Sequence, residues 1–227
     1  MIIDFCGLPG SGKSFYANAF SQRCLSNKII CINLTDRIYF HLLWKIYFRV
    51  LKFFFFKTTK CRRKKSEMKN ILAEYLNRSA LFNKSTVRYY IDSLLFIRYL
   101  HAKYKNKTHI YIYDEGVIQQ FATMIANFKI PIATIKCVYE TLQDDVKTIF
   151  FESTINRSFE LMRKRNRHVC SIDELTENQA KDFLLSYNKA LVVLNECFEL
   201  KNIKCDKSME AILDDIDSFV RNKSYDF

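Results

Sequence analysis

Lys13 and Ser14 close a short stretch, Gly7-Leu8-Pro9-Gly10-Ser11-Gly12-Lys13-Ser14, that holds three of the chain's 4 glycines. A chain this poor in glycine keeps it where backbone geometry or close ligand approach demands it. The stretch fits G-x-x-x-x-G-K-[ST], in which loop N–H groups converge on phosphate oxygens and the next helix adds its positive end. Gly7, Pro9, Gly10, Ser11, Gly12, Lys13, Ser14 and Phe15 are therefore the expected nucleotide-binding residues. In such a loop the lysine reaches the β- and γ-phosphates of ATP and the hydroxyl ligates Mg²⁺.

A second acidic element lies well downstream. His109-Ile110-Tyr111-Ile112-Tyr113 ends on Asp114-Glu115, followed by the fourth glycine, Gly116. A carboxylate at the end of an apolar strand suits a Mg²⁺ ligand, which makes Asp114 the second metal candidate beside Ser14. Glu115, Asp36 or Asp4 would take the proton from an acceptor hydroxyl.

These residues need a scaffold that brings them to one edge. Residues 2–6, 28–34, 109–113, 146–151 and 203–205 read as strands. Helical patterns fill 14–23, 66–78, 85–104, 117–128, 131–142, 157–167, 173–200 and 209–221. Alternation of this kind calls for a three-layer α/β architecture: a parallel sheet of about five strands, helices on both faces, and ligands at the carboxyl ends of the strands. The loop follows the first strand, Asp36 and Arg37 the second, Asp114 and Glu115 the third.

Composition sets the bounds. The 227 residues, 49% hydrophobic, fit one domain spanning 1–227 with a single core. The 8 cysteines form no C-x-x-C pair, and the 4 histidines are as scattered, so reduced structural thiols and no zinc site are expected. The N-terminus opens on a strand where a signal peptide would have a basic stretch and an apolar run, which predicts a cytoplasmic protein. A formal net charge of +12 suits phosphorylated ligands, nucleic acid or an anionic membrane, without choosing among them.

Ile155-Asn156-Arg157-Ser158-Phe159-Glu160-Leu161-Met162-Arg163-Lys164-Arg165-Asn166-Arg167 forms an Arg-rich helix after the fourth strand. With the loop and the acidic strand end, it resembles the thymidylate kinase-like and nucleoside monophosphate kinase-like branch of P-loop kinases. There a helix ending in Arg-x-x-x-Arg serves as a lid over the phosphates. The resemblance implies a lid over about 155–168, with Arg163 and Arg167 stabilising the transferring phosphoryl group. Asp114-Glu115-Gly116 stands where thymidylate kinases carry Asp-Arg. That ending resembles, more weakly, uncharacterised kinase-like proteins linked to bacterial surface polysaccharides. Asn27-Lys28 and Asn83-Lys84 lack the aspartate of a guanine-reading tetrad, which speaks against a GTPase.

Residues 38–65 form a basic, aromatic, helical insertion. Lys45, Arg49 and Lys52 make one cationic stripe, and Arg62-Arg63-Lys64-Lys65 follows. Two readings stand: a segment resting on an anionic membrane at its inner face, or an acceptor-side helix with its stripe solvated or facing an anionic acceptor. A nucleic-acid role is the weakest use of the charge. The expected activity is transfer of the ATP γ-phosphoryl group to a hydroxyl of a sugar, glycolipid or nucleotide, with surface-polysaccharide biosynthesis as one setting. Alternatives are an ATPase or regulatory protein without an acceptor, and a peripheral membrane adaptor with a vestigial loop.

Overall fold

A computed structural model describes residues 1–35, 42–75, 83–105, 109–142, 146–164 and 175–221. Along the chain run β1 (Ile2–Gly7), α1 (Lys13–Ser26), β2 (Cys31–Asn33), α2 (Leu42–Phe56), α3 (Thr59–Ala73), α4 (Lys84–Tyr104) and β3 (Ile110–Tyr113). There follow α5 (Val117–Phe128), α6 (Ile132–Leu142), β4 (Lys147–Glu152), α7 (Ile155–Lys164), α8 (Glu177–Phe198), β5 (Lys201–Lys204) and α9 (Met209–Arg221). The five strands form one parallel sheet in the order β2-β3-β1-β4-β5. This is the α/β architecture, one parallel sheet with helices on both faces, that the alternation of strands and helices leads one to expect.

Period-two alternation sorts the strand side chains between two layers. Ile3 and Phe5 of β1, Ile110 and Ile112 of β3, and Ile149 and Phe151 of β4 face α1 and α9. There they join Phe20, Ile212 and Ile216. Ile2 and Cys6, Tyr111 and Tyr113, and Phe150 face the opposite layer, with Leu94 of α4, Phe121 of α5 and Leu191 of α8. Both faces of the central strands are covered, which is why they read as continuous apolar runs.

Caps set several helix ends. Asn83 Oδ1 accepts from Ser85 N and Thr86 N to start α4. Thr176 and Gln179 form a capping box at the start of α8. Lys129 and Glu199 adopt left-handed conformations where α5 and α8 stop.

Two boundaries differ from expectation. β2 covers only Cys31–Asn33 because Lys28, at φ 60°, belongs to a turn closing α1 in which Ile29 N donates to Cys24 O (2.8 Å). α3 begins at Thr59, since Thr58 Oγ1 accepts from Cys61 N (3.3 Å) and caps a helix that includes the whole basic run. Lys64 of that run turns inward, its ammonium donating to Leu142 O (3.1 Å) at the end of α6, where Arg98 Nε also donates (3.0 Å). No described helix is long and apolar enough to cross a membrane.

Candidate functional site

β1 delivers its last residue straight into the glycine-rich loop, and α1 starts on the loop's far side with Gly12 as its N-cap in the left-handed region (φ 92°). Gly10 also has positive φ (84°), and a Cβ there would run into the Ser158 carbonyl and, at 2.9 Å, Met162 Cγ. The loop is thus clamped against α7 too closely for any side chain at position 10. Lys13 extends back across the loop, donating to Gly7 O and Leu8 O at 3.0 Å each. Ser11 is buried and its hydroxyl has no partner. Phe15 is exposed, edge-on to Tyr16.

Across the loop mouth, Ser14 Oγ donates to Asp114 Oδ2 at 2.6 Å, joining residues 100 positions apart. Asp114 is buried and its other oxygen, Oδ1, has no hydrogen-bond partner. Its backbone N–H donates to Thr35 Oγ1 (3.0 Å), which ties the end of β3 to the segment after β2. A hydroxyl, a carboxylate and an unsatisfied buried acceptor beside the glycine-rich loop fit Mg²⁺, which takes few protein ligands and completes its shell with water and phosphate oxygens. Among the described residues no cluster of three or more His, Cys, Asp or Glu competes as a metal site.

The turn carrying Asp114-Glu115-Gly116 is held from below by Asp4. Asp4 Oδ1 bonds His101 Nε2 (2.8 Å) from α4, and Oδ2 accepts from Val117 N (3.2 Å) at the start of α5. A Cβ on Gly116 would overlap the Asp4 carboxylate. Asp4, 1% exposed, is therefore committed to bracing the turn, and it also lines a cavity of about 320 Å³ with Lys147 and Thr148, away from the Glu115 cleft. Gln119 of α5 braces the loop's first residue, its Oε1 accepting from Gly7 N (3.1 Å) and its Nε2 donating to Gly7 O (3.2 Å). Burial pushes the Cys6 and Cys205 thiols up, Cys205 to about 11, so neither supplies a thiolate near neutral pH.

Glu115 opens onto a cleft of about 390 Å³ between α2, α4 and the end of β3. Phe48, Phe96, Tyr89 and Tyr113 line it together with Arg49, Lys52 and Gln120. Two members of the cationic stripe thus turn toward the acidic motif. Lys52 Nζ also lies 5.5 Å from the Phe96 ring centroid. The Lys45 side chain, Asp36, Arg37 and Arg167 lie outside the described residues. Arg163 is exposed on α7, paired with Glu177 of α8 (3.4 Å) and 5.7 Å from the Phe159 ring. Arg157, six residues earlier on α7, acts electrostatically on Tyr16 and Cys205.

Sequence reasoning missed Thr35, His101, Gln119 and Arg157. Only the last carried a signal, as part of the Arg-rich helix.

The sequence matches no family model and no curated protein. The fold does match solved structures. A deoxyadenosine kinase from M. mycoides with bound dATP superimposes with a TM-score of 0.55 at 14% identity, covering 97% of this chain and 100% of that one. The same enzyme with products dCMP and a flexible dCDP covers 98% of this chain and 100% of that one, at 11% identity and a TM-score of 0.55. At such identities the likeness establishes the fold.

Proposed function

We propose that this protein is an ATP-dependent phosphotransferase that moves the γ-phosphoryl group to a hydroxyl of a small molecule, with Mg²⁺ as cofactor. The observation that carries the reading is the Ser14–Asp114 hydrogen bond with its orphaned Oδ1, set at the mouth of the glycine-rich loop. The loop amides and Lys13 hold the phosphates, with the Lys13 ammonium leaving the Gly7 and Leu8 carbonyls for phosphate oxygens. Mg²⁺ on Ser14 and Asp114 would neutralise charge on the β- and γ-phosphates.

The acceptor enters the Glu115 cleft, whose volume and aromatic walls suit a molecule with one flat ring, and whose Arg49 and Lys52 suit an anionic substituent. Glu115 accepts the hydroxyl proton as the new O–P bond forms and the bond to the β-phosphate oxygen breaks. Arg163 and Arg167 complete the lid in this reading, with Arg163 exchanging Glu177 for phosphate. Nucleosides and nucleotides lead the acceptor classes because the structural neighbours are deoxyadenosine kinases. Sugars and glycolipids remain in the panel on the strength of the sequence resemblance alone.

The test is ADP release by the purified protein with Mg²⁺ and ATP, alone and against nucleosides, nucleotides, sugars and glycolipids. Acceptor-dependent release with phosphate on one panel member supports the reading and names the substrate. Turnover indifferent to every acceptor points to the ATPase alternative, and no ATP binding overturns both. Lys13→Ala is expected to abolish transfer with an unchanged melting temperature, and substantial residual activity would refute the assigned role.

A further inference from the structure

Helix α2 is apolar on two opposite faces. Inward, Phe48 is buried and Leu51 and Phe55 pack against the core. Outward, Leu42, Leu43, Ile46, Val50, Phe53 and Phe54 stand in solvent, with Leu42 71%, Leu43 80% and Phe54 63% exposed. At 3.6 residues per turn these six fall within one arc of about 120°. A contiguous exposed apolar face of this kind marks an interaction surface.

The charge beside it has one sign. From residue 37 to residue 66 the sequence contains no Asp or Glu. Arg63 and Lys65 find carboxylates in Glu67 and Asp92. Lys57, Lys60 and Arg62 are exposed and form no ion pair among the described residues, and Lys57 Nζ sits 4.0 Å from the Phe53 ring centroid, at the edge of the apolar face.

These features select among occupants. A second copy would bring the same cations together with no acid of this stretch to meet them. Nucleic acid would want cations at the centre of the face, where leucine, isoleucine and valine stand instead. An anionic lipid surface accepts aliphatic and phenyl groups at the headgroup–acyl boundary and cations at the phosphates beside them.

We infer that α2 docks this protein on an anionic lipid bilayer, lying in the interface on the Leu42–Phe54 face with Lys57, Lys60 and Arg62 at the headgroups. Arg49 and Lys52 sit on the same helix between its two apolar faces, so docking sets the mouth of the Glu115 cleft at headgroup level. The inference stands apart from the phosphotransfer reading, which is tested in solution by nucleotide turnover.

The experiment is co-sedimentation of the full chain with phosphatidylcholine vesicles, with and without phosphatidylglycerol. Wild type is expected to sediment with the mixed vesicles and not with the neutral ones, and to detach as salt rises. Val50→Glu with Phe54→Glu is expected to lower the bound fraction roughly tenfold or more, because the charges face the acyl boundary. Lys57→Glu with Lys60→Glu and Arg62→Glu is expected to lower vesicle affinity on the order of a hundredfold, at about a fivefold change for each cation removed. Both variants change exposed residues, so an unchanged melting temperature certifies their fold, and nucleotide turnover in solution should match wild type. Three outcomes overturn the inference: wild type sedimenting with neither vesicle, binding that survives Val50→Glu with Phe54→Glu, or a lipid-free dimer dissolved by Val50→Glu with no vesicle binding by the monomer.

Discussion

Asp114 commits one carboxylate oxygen to Ser14 and buries the other with nothing to accept from. An unsatisfied buried acceptor costs about 1–3 kcal/mol, so the residue holds that geometry at the expense of the free protein's stability. Asp114→Asn should therefore cut phosphoryl transfer by about 10²–10³-fold, as for loss of one transition-state electrostatic contact, while leaving thermal stability equal or higher. Activity within a few-fold of wild type would remove Asp114 from the metal site. Gly116→Ala makes the opposite trade. Its Cβ meets the Asp4 carboxylate, and relief requires breaking the bond from Val117 N, so a loss of about 1–3 kcal/mol is expected in urea melts. Combined with Asp4→Ala the two losses should be non-additive, since the second change removes the group the first collides with. Among the thiols, exposed Cys137 should react with an aromatic disulfide at mildly alkaline pH before Cys6 or Cys205, whose thiols burial pushes up.

At the scale of elements, the basic run of α3 shows how one sequence feature divides into unrelated roles. Arg62 stays in solvent, Lys65 pairs with Asp92 of α4, and Lys64 closes the end of α6 by donating to Leu142 O (3.1 Å). A cation on the last carbonyls satisfies acceptors that the helix itself cannot and opposes the negative end of its dipole. Lys64→Met keeps the stem and loses the donor, and should destabilise by about 2 kcal/mol in denaturant melts, the range for a buried charged hydrogen bond. A loss within a few tenths of a kcal/mol would mean that Arg98 alone suffices for the α6 terminus. α7 matters to the site in another way, because its Ser158 carbonyl and Met162 leave room only for glycine at position 10.

For the molecule as a whole, the parallel order β2-β3-β1-β4-β5 puts the glycine-rich loop after the central strand, with Asp114 just past the adjacent strand at the same edge. A ligand there stabilises the native state by mass action. With Mg²⁺ and ATP at about 100 times the dissociation constant the gain is roughly 2.7 kcal/mol, a rise of about 5–11 °C in melting temperature for a chain of this size. Lys13→Ala should abolish that shift without lowering the unliganded transition, and an equal shift in the variant would place the nucleotide elsewhere.

The sequence by itself determined what is local. The glycine loop could be read because its chemistry lies in contiguous residues. That the sheet is covered on both faces could be read because its strands are continuous apolar runs alternating with helices. The Ser14–Asp114 meeting followed from those two facts together, since parallel strands with helical crossovers bring their carboxyl ends to one edge. What only the tertiary structure decided is how distant side chains divide their partners. Asp4 looked as available as Glu115, and became a brace when α4 brought His101 to within 2.8 Å of it. Gln119 and Thr35 are polar residues without a motif, and acquire roles by reaching Gly7 and Asp114. In α2 the same residue types occupy the buried face and the exposed one, so period and composition give a helix without an inside. Which face meets the core, and that Arg49 and Lys52 turn toward Glu115, was set by packing against α4, a contact between segments that no local spacing encodes.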